Sequence, residues 1–438
     1  MSKSTRPNII VVVTDDHGYG DLGCFGSDDL KTPHLDRLAA SGAVLTECYS
    51  NSPVCSPSRA AILRGQHPSR TGVDDVLGGH RTEEGLTGSH PTIASELKSL
   101  GYRTSMIGKW HLGVAPGSRP SDHGFDEWFG TLSGGIDYFS HINYNLWPWD
   151  VSYHPVHDLW DNGLEVWRNG DYVTEVIAER AVEFIDRVTP TDDPFFLYVG
   201  FTAPHSPMHA PAEYIDRFPG LTPARRIMAA MLAAMDDGVG SMVEALDRAG
   251  ELENTLFFMM SDNGPSRHPA NWLDGNQEPY YGASAGELRG GKTSLFEGGI
   301  RSPSVLHWPD RVRAGQVVSS PVLGIDLLPS LVAAAGGSTE GLDLDGVDLI
   351  PTLTGKSPPP ERDLFWSFRH QTAMRRGQWK VVLEPYESDD NPAAELEYLF
   401  DLEADPSESR NLKSTHPELF AELKAVALSW RAGLEIVQ

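Results

Sequence analysis

The sequence predicts an α/β fold in which a large central sheet is flanked by helices and a smaller C-terminal unit follows. Three observations support this. The chain of 438 residues is long for one core. Short apolar, β-branched runs alternate with helical patterns through its first three quarters. A polar, proline-rich connector then precedes several short strand-like runs.

The elements of the larger unit follow from apolar periodicity and from flanking Gly or Pro. Four short apolar runs predict buried strands, at Asn8–Thr14, Arg103–Ile107, Phe195–Phe201 and Thr255–Ser261. Six amphipathic segments predict helices, at Thr32–Ser41, Pro57–Leu63, Thr92–Leu100, Val173–Arg187, Ala224–Ala249 and Ile325–Ala335.

The C-terminal unit begins after the connector Thr354–Glu361, whose sequence is Thr-Gly-Lys-Ser-Pro-Pro-Pro-Glu. Short alternating runs predict an antiparallel sheet, with strands at Leu364–Phe368, Trp379–Glu384 and Tyr398–Asp401. A helix is expected near Pro417–Ala432. We therefore expect a catalytic α/β domain over residues 1–355 and a small α+β subdomain over residues 356–438.

The charge of the chain restricts its partners. Its formal net charge of -26 argues against binding to nucleic acid or to an anionic membrane surface, because the long-range field repels polyanions. An anionic substrate should therefore be small and held by cations inside a cleft. No apolar run approaches the length of a membrane span.

The cysteines and the first residues bear on the compartment. The apolar run Ile9–Val13 is too short for a signal-peptide core. Three cysteines form no complete disulfide set, and reduced thiols fit an intracellular protein. We expect a cytoplasmic protein in which Cys24 and Cys48 are buried thiols.

Two acidic pairs directly follow predicted strands: Asp15-Asp16 and Asp262-Asn263. Strand ends line the ligand crevice of an open α/β sheet, so both pairs can point into one site. Their oxygen atoms suit Ca²⁺ or Mg²⁺ better than zinc. Alternatively, Asp16 caps a turn and Asp262-Asn263-Gly264 is an ordinary turn sequence.

Cys55 is expected at a helix N-terminus, because Pro57 suits the first helical turn and good helix formers follow it. This position predicts either a thiolate of lowered pKa, acting as nucleophile or redox site, or an inert buried cysteine. Periodicity does not decide between them.

The segment Cys55-Ser56-Pro57-Ser58-Arg59 resembles the C-x-P-S-R signature of the type I sulfatases of the alkaline phosphatase superfamily, in which the cysteine is oxidised to formylglycine. The resemblance spans nearly the whole chain and keeps the family's order of motifs. The other matching segments are Pro7-Asn8-Ile9-Ile10, Gly108-Lys109-Trp110-His111-Leu112-Gly113, Ala203-Pro204-His205, Ser261-Asp262-Asn263-Gly264, Gly291-Lys292 and Phe296-Glu297-Gly298-Gly299-Ile300-Arg301-Ser302-Pro303.

This resemblance implies a mixed central sheet, a divalent metal and a site for a sulfate ester. It assigns the metal, Ca²⁺ or Mg²⁺, to Asp15, Asp16, Asp262, Asn263 and the modified Cys55. It also implies a partner, the machinery that generates formylglycine.

The resemblance further implies that the hydrated aldehyde of formylglycine is the nucleophile. Arg59 would orient it, and Lys109 and Lys292 would grip sulfate oxygens. His205 would protonate the leaving alcohol, and His111 would help to deprotonate the second hydroxyl of the hydrate so that sulfate leaves.

Other functions stay open from the sequence alone. A phosphate or phosphonate ester hydrolase would need the same metal, nucleophile and cations, and an arylsulfatase would differ only in substrate. A non-catalytic anion-binding protein is a further alternative, but the set of polar residues is complete.

The segment from Asp137 to Trp167 is rich in rings and has little periodicity, which predicts a long loop. Its rings either form a small core under the loop or line the cleft, where they suit the faces of a sugar. On the second hypothesis the substrate is a sulfated mono- or oligosaccharide. The residues concerned are Tyr138, Phe139, His141, Tyr144, Trp147, Trp149, Tyr153, His154, His157, Trp160 and Trp167.

Overall fold

The computed structural model describes residues 6–88, 90–143, 155–191, 193–266, 282–387 and 392–435. In this part of the chain the strands are β1 (Asn8–Thr14), β2 (Ala43–Leu45), β3 (Cys48–Tyr49), β4 (Arg103–Lys109), β5 (Glu127–Thr131), β6 (Ile142–Asn143), β7 (Val156–His157), β8 (Trp160–Asp161), β9 (Leu164–Glu165), β10 (Phe195–Gly200), β11 (Thr255–Ser261), β12 (Arg301–Ser302), β13 (Val305–His307), β14 (Gln316–Val318), β15 (Val322–Leu323), β16 (Asp363–Phe368), β17 (Gln371–Arg376), β18 (Trp379–Leu383) and β19 (Glu397–Asp401).

The α-helices in the same ranges are α1 (Pro33–Ser41), α2 (Cys55–Arg64), α3 (Pro68–Thr71), α4 (Ile93–Ser99), α5 (Val173–Val188), α6 (Ala212–Ile215), α7 (Pro223–Ala249), α8 (Glu297–Ile300), α9 (Leu327–Ala334), α10 (Ile350–Leu353) and α11 (Pro417–Glu435). Short 3₁₀ helices cover Gly23–Phe25, Pro120–His123 and Gly324–Asp326.

Ten described strands form the central sheet, in the order β14-β2-β13-β11-β1-β10-β4-β5-β8-β9. The five strands from β11 to β5 run parallel to one another, and antiparallel strands flank them on both sides. The sheet is therefore mixed, as the family resemblance implies. Two small sheets, β12-β3-β15 and β6-β7, lie apart from it.

Successive side chains of β1 point to opposite faces of the central sheet, and each face is covered by a hydrophobic core. Ile10 and Val12 pack in one core with residues of α1, α5 and α7. Ile9 and Val11 pack in the other with residues of α2, α4 and α9. Because β1 is buried on both faces, its sequence is a continuous apolar run.

The C-terminal sheet has the order β16-β17-β18-β19 and is antiparallel throughout. One face packs through Trp366 and Phe400 against Tyr49, Phe296 and other residues of the larger unit. The opposite face packs on Leu423 and Ala427 of α11. The prediction of a small sheet plus a helix is confirmed, whereas the division at residue 355 stays a prediction.

The predicted elements are confirmed with end shifts of at most two residues, apart from the last helix, which continues three residues further to Glu435. The helix expected at Ile325–Ala335 begins only at Leu327, because Asp326 first turns the chain by accepting a hydrogen bond from the amide of Leu323 at 2.8 Å. Strand β17 was not predicted, and neither were the shorter strands β2, β3, β5–β9 and β12–β15. Within the described ranges, no helix combines the length and apolar character needed to cross a bilayer.

Candidate active site

The ends of four neighbouring parallel strands form the floor of the site. In the register of the sheet Thr14 lies beside Ser261, Val13 beside Gly200, and Gly200 beside Gly108. The residues that follow β1 and β11, and the last residue of β4, therefore emerge together at one edge. This brings Asp15, Asp262 and Lys109 into one cluster, as the sequence predicts for the two acidic pairs.

Each carboxylate of the first pair has its own ammonium group. Lys109 Nζ lies 2.5 Å from Asp15 Oδ2, and Lys292 Nζ lies 2.8 Å from Asp16 Oδ1. Asn263 Nδ2 donates to Asp16 Oδ1 at 2.7 Å. Asp16 has a positive φ of 61°, so the backbone turns sharply here and directs the two adjacent carboxylates to different partners.

Cys55 is the first residue of α2 and is buried, which confirms the predicted helix N-terminus. One turn later Arg59 reaches the strand ends. Its Nε donates to Asp262 Oδ2 at 2.8 Å and its Nη1 donates to the carbonyl oxygen of Lys109 at 3.1 Å. Arg59 thus connects the helix that carries Cys55 to both β11 and β4.

Burial raises the pKa of the Cys55 thiol to about 12, even though Lys109 and Lys292 act in the opposite direction. The direction of this shift disfavours a thiolate nucleophile at Cys55. Cys48 is buried and Cys24 is half-buried, and burial raises the pKa of each to about 12.

The buried charges of the site balance. Burial alone would favour a protonated Asp16, but Lys292 and His205 outweigh it and lower the pKa to about 2. Burial raises the pKa of Asp262 to about 6, although Arg59 opposes this. Counted as ionised, three carboxylates (Asp15, Asp16, Asp262) face three cations (Arg59, Lys109, Lys292). A divalent cation would make the site positive and therefore attractive to a sulfate ester.

The donor atoms fit such a cation. Asp15 Oδ1 and Asn263 Oδ1 are buried and have no hydrogen-bond partner among the described residues. Buried polar atoms without partners are costly, and a metal ion would satisfy both. Asp15, Asp16, Cys55 and His205 each offer an atom within 4.8 Å of the others. Carboxylate and amide oxygens suit a hard cation. The inclusion of His205 was not predicted.

The two histidines present their free nitrogens differently. His111 Nε2 lies 2.9 Å from the carbonyl oxygen of Leu77 and must donate to it, which leaves Nδ1 without a partner in the described structure. His205 Nδ1 lies 2.6 Å from the carbonyl oxygen of Ser206, so its Nε2 carries the lone pair and lies 3.7 Å from Asp16 Oδ2. These tautomers follow from the acceptor character of the carbonyls.

Burial favours the neutral form of both histidines. Burial, together with Lys109, lowers the pKa of His111 well below its ordinary value. Burial and Lys292 lower the pKa of His205 to about 3. A bound anionic ester would oppose this shift, because negative charge near an imidazole favours its protonated form.

The turn Ser133-Gly134-Gly135 is a part of the site that the sequence analysis missed. A Cβ on Gly134 would lie 2.4 Å from Cε1 and Nε2 of His111, and one on Gly135 would lie 3.2 Å from Cε1 of His205. The turn therefore packs directly on both imidazole rings. Ser133 Oγ is buried and has no partner in the described ranges. Two adjacent glycines after an apolar run were the available signal.

Some aromatic side chains of the 137–167 segment are buried in the core, and others are exposed on the surface. Tyr138 is buried, and its hydroxyl donates to the carbonyl oxygens of Thr202 and His205, both at 2.8 Å, so it supports the backbone that carries His205. Trp160 is also buried. Trp167 is 62% exposed and stacks on His157 with ring centroids 3.7 Å apart. Other predicted members lie outside the described residues, namely Tyr144, Trp147, Trp149, Tyr153 and His154.

Comparisons with known proteins identify the family of this chain. The family described as Sulfatase matches residues 7–338, and the family described as N-sulphoglucosamine sulphohydrolase, C-terminal, matches residues 291–429. N-acetylgalactosamine-6-sulfatase of Sus scrofa is 34% identical over 86% of this chain and 71% of that enzyme. Arylsulfatase A of Homo sapiens is 32% identical over 98% of this chain and 88% of that enzyme.

A solved structure is similar along the whole chain. The crystal structure of Ps i-CgsB in complex with k-i-k-neocarrahexaose has a TM-score of 0.85 and 33% identity, and the match covers 97% of this chain and 92% of that one. The chain therefore belongs to the sulfatase family of the alkaline phosphatase superfamily, the enzymes that hydrolyse sulfate esters.

Proposed function

We propose that this sulfatase cleaves sulfate monoesters of a mono- or oligosaccharide, using a formylglycine made from Cys55 and a divalent metal, Ca²⁺ or alternatively Mg²⁺. The observation that carries the proposal is the environment of Cys55. This residue is buried at the N-terminus of α2 among three carboxylates and three cations, and burial disfavours the thiolate form of its side chain. Oxidation to the aldehyde would give this position a nucleophile that the thiol does not provide.

Asp15, Asp16, Asp262 and Asn263 would hold the metal, with the modified Cys55 completing its ligands. The unpartnered oxygens of Asp15 and Asn263 support this assignment. When bound, the metal would favour the ionised form of a hydroxyl and add positive charge near the sulfuryl group.

Lys109 and Lys292 approach the cluster from different elements, one at the end of β4 and the other in the loop before α8. Their ammonium groups would bind sulfate oxygens in a buried, water-poor site, where fixed charges stabilise a transition state most strongly. Arg59, anchored on Asp262, would orient the hydrated aldehyde on its own helix.

The histidines would move the protons. As its hydrate, formylglycine supplies two hydroxyls on one carbon, of which one attacks sulfur and the other loses its proton when sulfate is expelled. Nδ1 of His111 has a free lone pair that can take that proton. Nε2 of His205, protonated once the anionic ester is bound, would donate to the leaving oxygen.

The carbohydrate assignment is supported by relatives and by an exposed ring in the 137–167 segment. A sulfatase named for N-acetylgalactosamine and a structure in complex with a neocarrahexaose are both about one-third identical to this chain. The exposed Trp167, stacked on His157, offers a flat apolar face that suits a sugar ring. Tyr138 and Trp160, in contrast, are part of the protein interior.

Aryl sulfates are the second candidate class, because Arylsulfatase A is also among the similar relatives. A screen of sulfate release separates the two. Converted enzyme would be assayed on sulfated monosaccharides, disaccharides and polysaccharides, on alkyl and aryl sulfates, and on aryl phosphates, with Cys55→Ala as the inactive control. We expect the highest kcat/KM on a small sulfated sugar. A preference of orders of magnitude for an alkyl or aryl sulfate would contradict the carbohydrate assignment, and faster cleavage of phosphates would contradict the sulfate assignment.

A further inference from the structure

Lys292 is followed by a residue in a strained backbone conformation. Thr293 has a φ of 78°, in the left-handed region that β-branched residues rarely occupy. Such a conformation persists only where the surrounding structure holds it. The contacts around Thr293 therefore determine where the chain places the Lys292 side chain.

The main support comes from the C-terminal sheet. Gln371, the first residue of β17, is 1% exposed. Its Nε2 donates to the carbonyl oxygen of Thr293 at 2.7 Å, and its Oε1 accepts from the amides of Leu295 at 3.2 Å and Tyr386 at 3.0 Å. One neutral side chain thus serves as donor and acceptor to the residues that follow Lys292.

The other side of Thr293 is tied to the nucleophile segment. The amide of Thr293 donates to the carbonyl oxygen of Pro53 at 2.8 Å, two residues before Cys55. Lys292 itself donates its amide to the carbonyl oxygen of Pro265 at 2.9 Å. Thr293 is therefore held on one side by Pro53, in the segment before Cys55, and on the other side by Gln371.

Ion pairs with the C-terminal subdomain hold the two ends of this loop, one to the segment between β18 and β19 and one to β18 itself. Arg289 Nη2 donates to Glu387 Oε2 at 2.8 Å. At the other end, Glu297 Oε1 lies 2.8 Å from Nζ of Lys380, and both side chains are fully buried. These contacts fix where the loop begins and ends, whereas Gln371 acts on the backbone directly after Lys292.

We propose that Gln371 is a positioning residue of the active site, which acts through Thr293 to set the Lys292 ammonium group for binding sulfate. This rests on the proposed role of Lys292. The C-terminal sheet then contributes to the catalytic apparatus through the backbone that carries Lys292. A methionine at this position would fill a similar volume but form none of the three hydrogen bonds.

The test compares Gln371→Met with Thr372→Val in the metal-loaded, converted enzyme. Thr372 is the adjacent buried residue of β17, and its Oγ1 accepts from Nη1 of Arg431 at 2.8 Å, so this control loses a hydrogen bond to α11 and none to the loop. Three quantities are measured for each: the Kd of inorganic sulfate by calorimetry, kcat and KM on an aryl sulfate, and the Tm.

We expect Gln371→Met to weaken sulfate binding and to lower kcat/KM, each by about tenfold, because a displaced ammonium group loses aligned contacts. Thr372→Val should lower the Tm but leave the Kd of sulfate unchanged. In the background of Lys292→Ala, Gln371→Met should have no further effect on sulfate binding, since coupled residues are not additive.

Equal Kd values for the two variants, or full additivity with Lys292→Ala, would overturn the positioning role. Gln371→Asn, which draws the amide back by one methylene, should weaken sulfate binding in the same direction and gives a second readout if Gln371→Met does not fold. Sulfate binding is measured without turnover. An inactive wild-type enzyme would thus contradict the proposed function and still leave the effect of Gln371 on sulfate binding measurable.

Discussion

Adding one methyl group at Gly134 should impair His111 specifically. In the present structure a Cβ at this position would lie 2.4 Å from the ring atoms Cε1 and Nε2, whereas ordinary contacts begin near 3.4 Å. The ring must therefore move by about 1 Å. A displacement of this size costs about 100-fold in rate, or about 2.7 kcal/mol of activation free energy.

Kinetics on a nitrophenyl sulfate would locate the loss. If His111 serves only the expulsion of sulfate, Gly134→Ala should release the first equivalent of nitrophenol at the normal rate and then turn over about 100-fold more slowly. Gly220→Ala is the matched control, because a Cβ on Gly220 meets no atom within 4 Å. If Gly134→Ala slows the burst and the steady state equally, or slows neither, then His111 does not have this role.

Three further predictions concern the metal, the general acid and a buried carboxyl group. Chelation should abolish turnover and Ca²⁺ or Mg²⁺ should restore it, because the proposed side-chain ligands are oxygens; elemental analysis that finds stoichiometric zinc would refute this. His205→Ala should cost about 100-fold or more on sugar sulfates and far less on nitrophenyl sulfate, whose leaving group hardly needs a proton; equal losses would exclude His205 as the acid. Burial raises the pKa of Glu408 to about 7, although Lys380 opposes it. Its contribution to stability is therefore full below about pH 4.5 and is lost as the pH rises through about 7. The difference in free energy of unfolding between wild type and Glu408→Gln should therefore fall as the pH rises from about 4.5 to about 7. A difference that does not change with pH would contradict the raised pKa of Glu408.

The central strands could be predicted because a strand that is buried on both faces has a continuous apolar sequence. Asn8–Thr14 and Thr255–Ser261 are uniformly buried and match the predicted bounds. In contrast, β17 places Gln371, Thr372 and Arg375 in buried positions, and no hydrophobic pattern marks them. Each of these side chains is bonded to residues distant in the sequence, such as Thr293, Arg431 and Glu47, so periodicity cannot assign them to a strand.

Strand ends and the Cys55 motif were enough to predict from the sequence which residues form the site. The contacts that orient the histidines and Lys292 could not be predicted in this way. Gly134 and Gln371 act across 23 and 79 residues of chain, respectively, on His111 and Lys292. Such partners become visible only when the chain is folded. The cytoplasmic location is a prediction that the fold does not test.

The proposed chemistry depends most directly on the state of Cys55. We predict that protein from a host able to carry out the conversion contains the aldehyde or its hydrate at this residue, and that sulfatase activity rises in proportion to the converted fraction. Mass spectrometry of the peptide that contains Cys55, combined with active-site titration of the same sample, measures both. Full activity in a sample whose Cys55 is entirely thiol would contradict the mechanism.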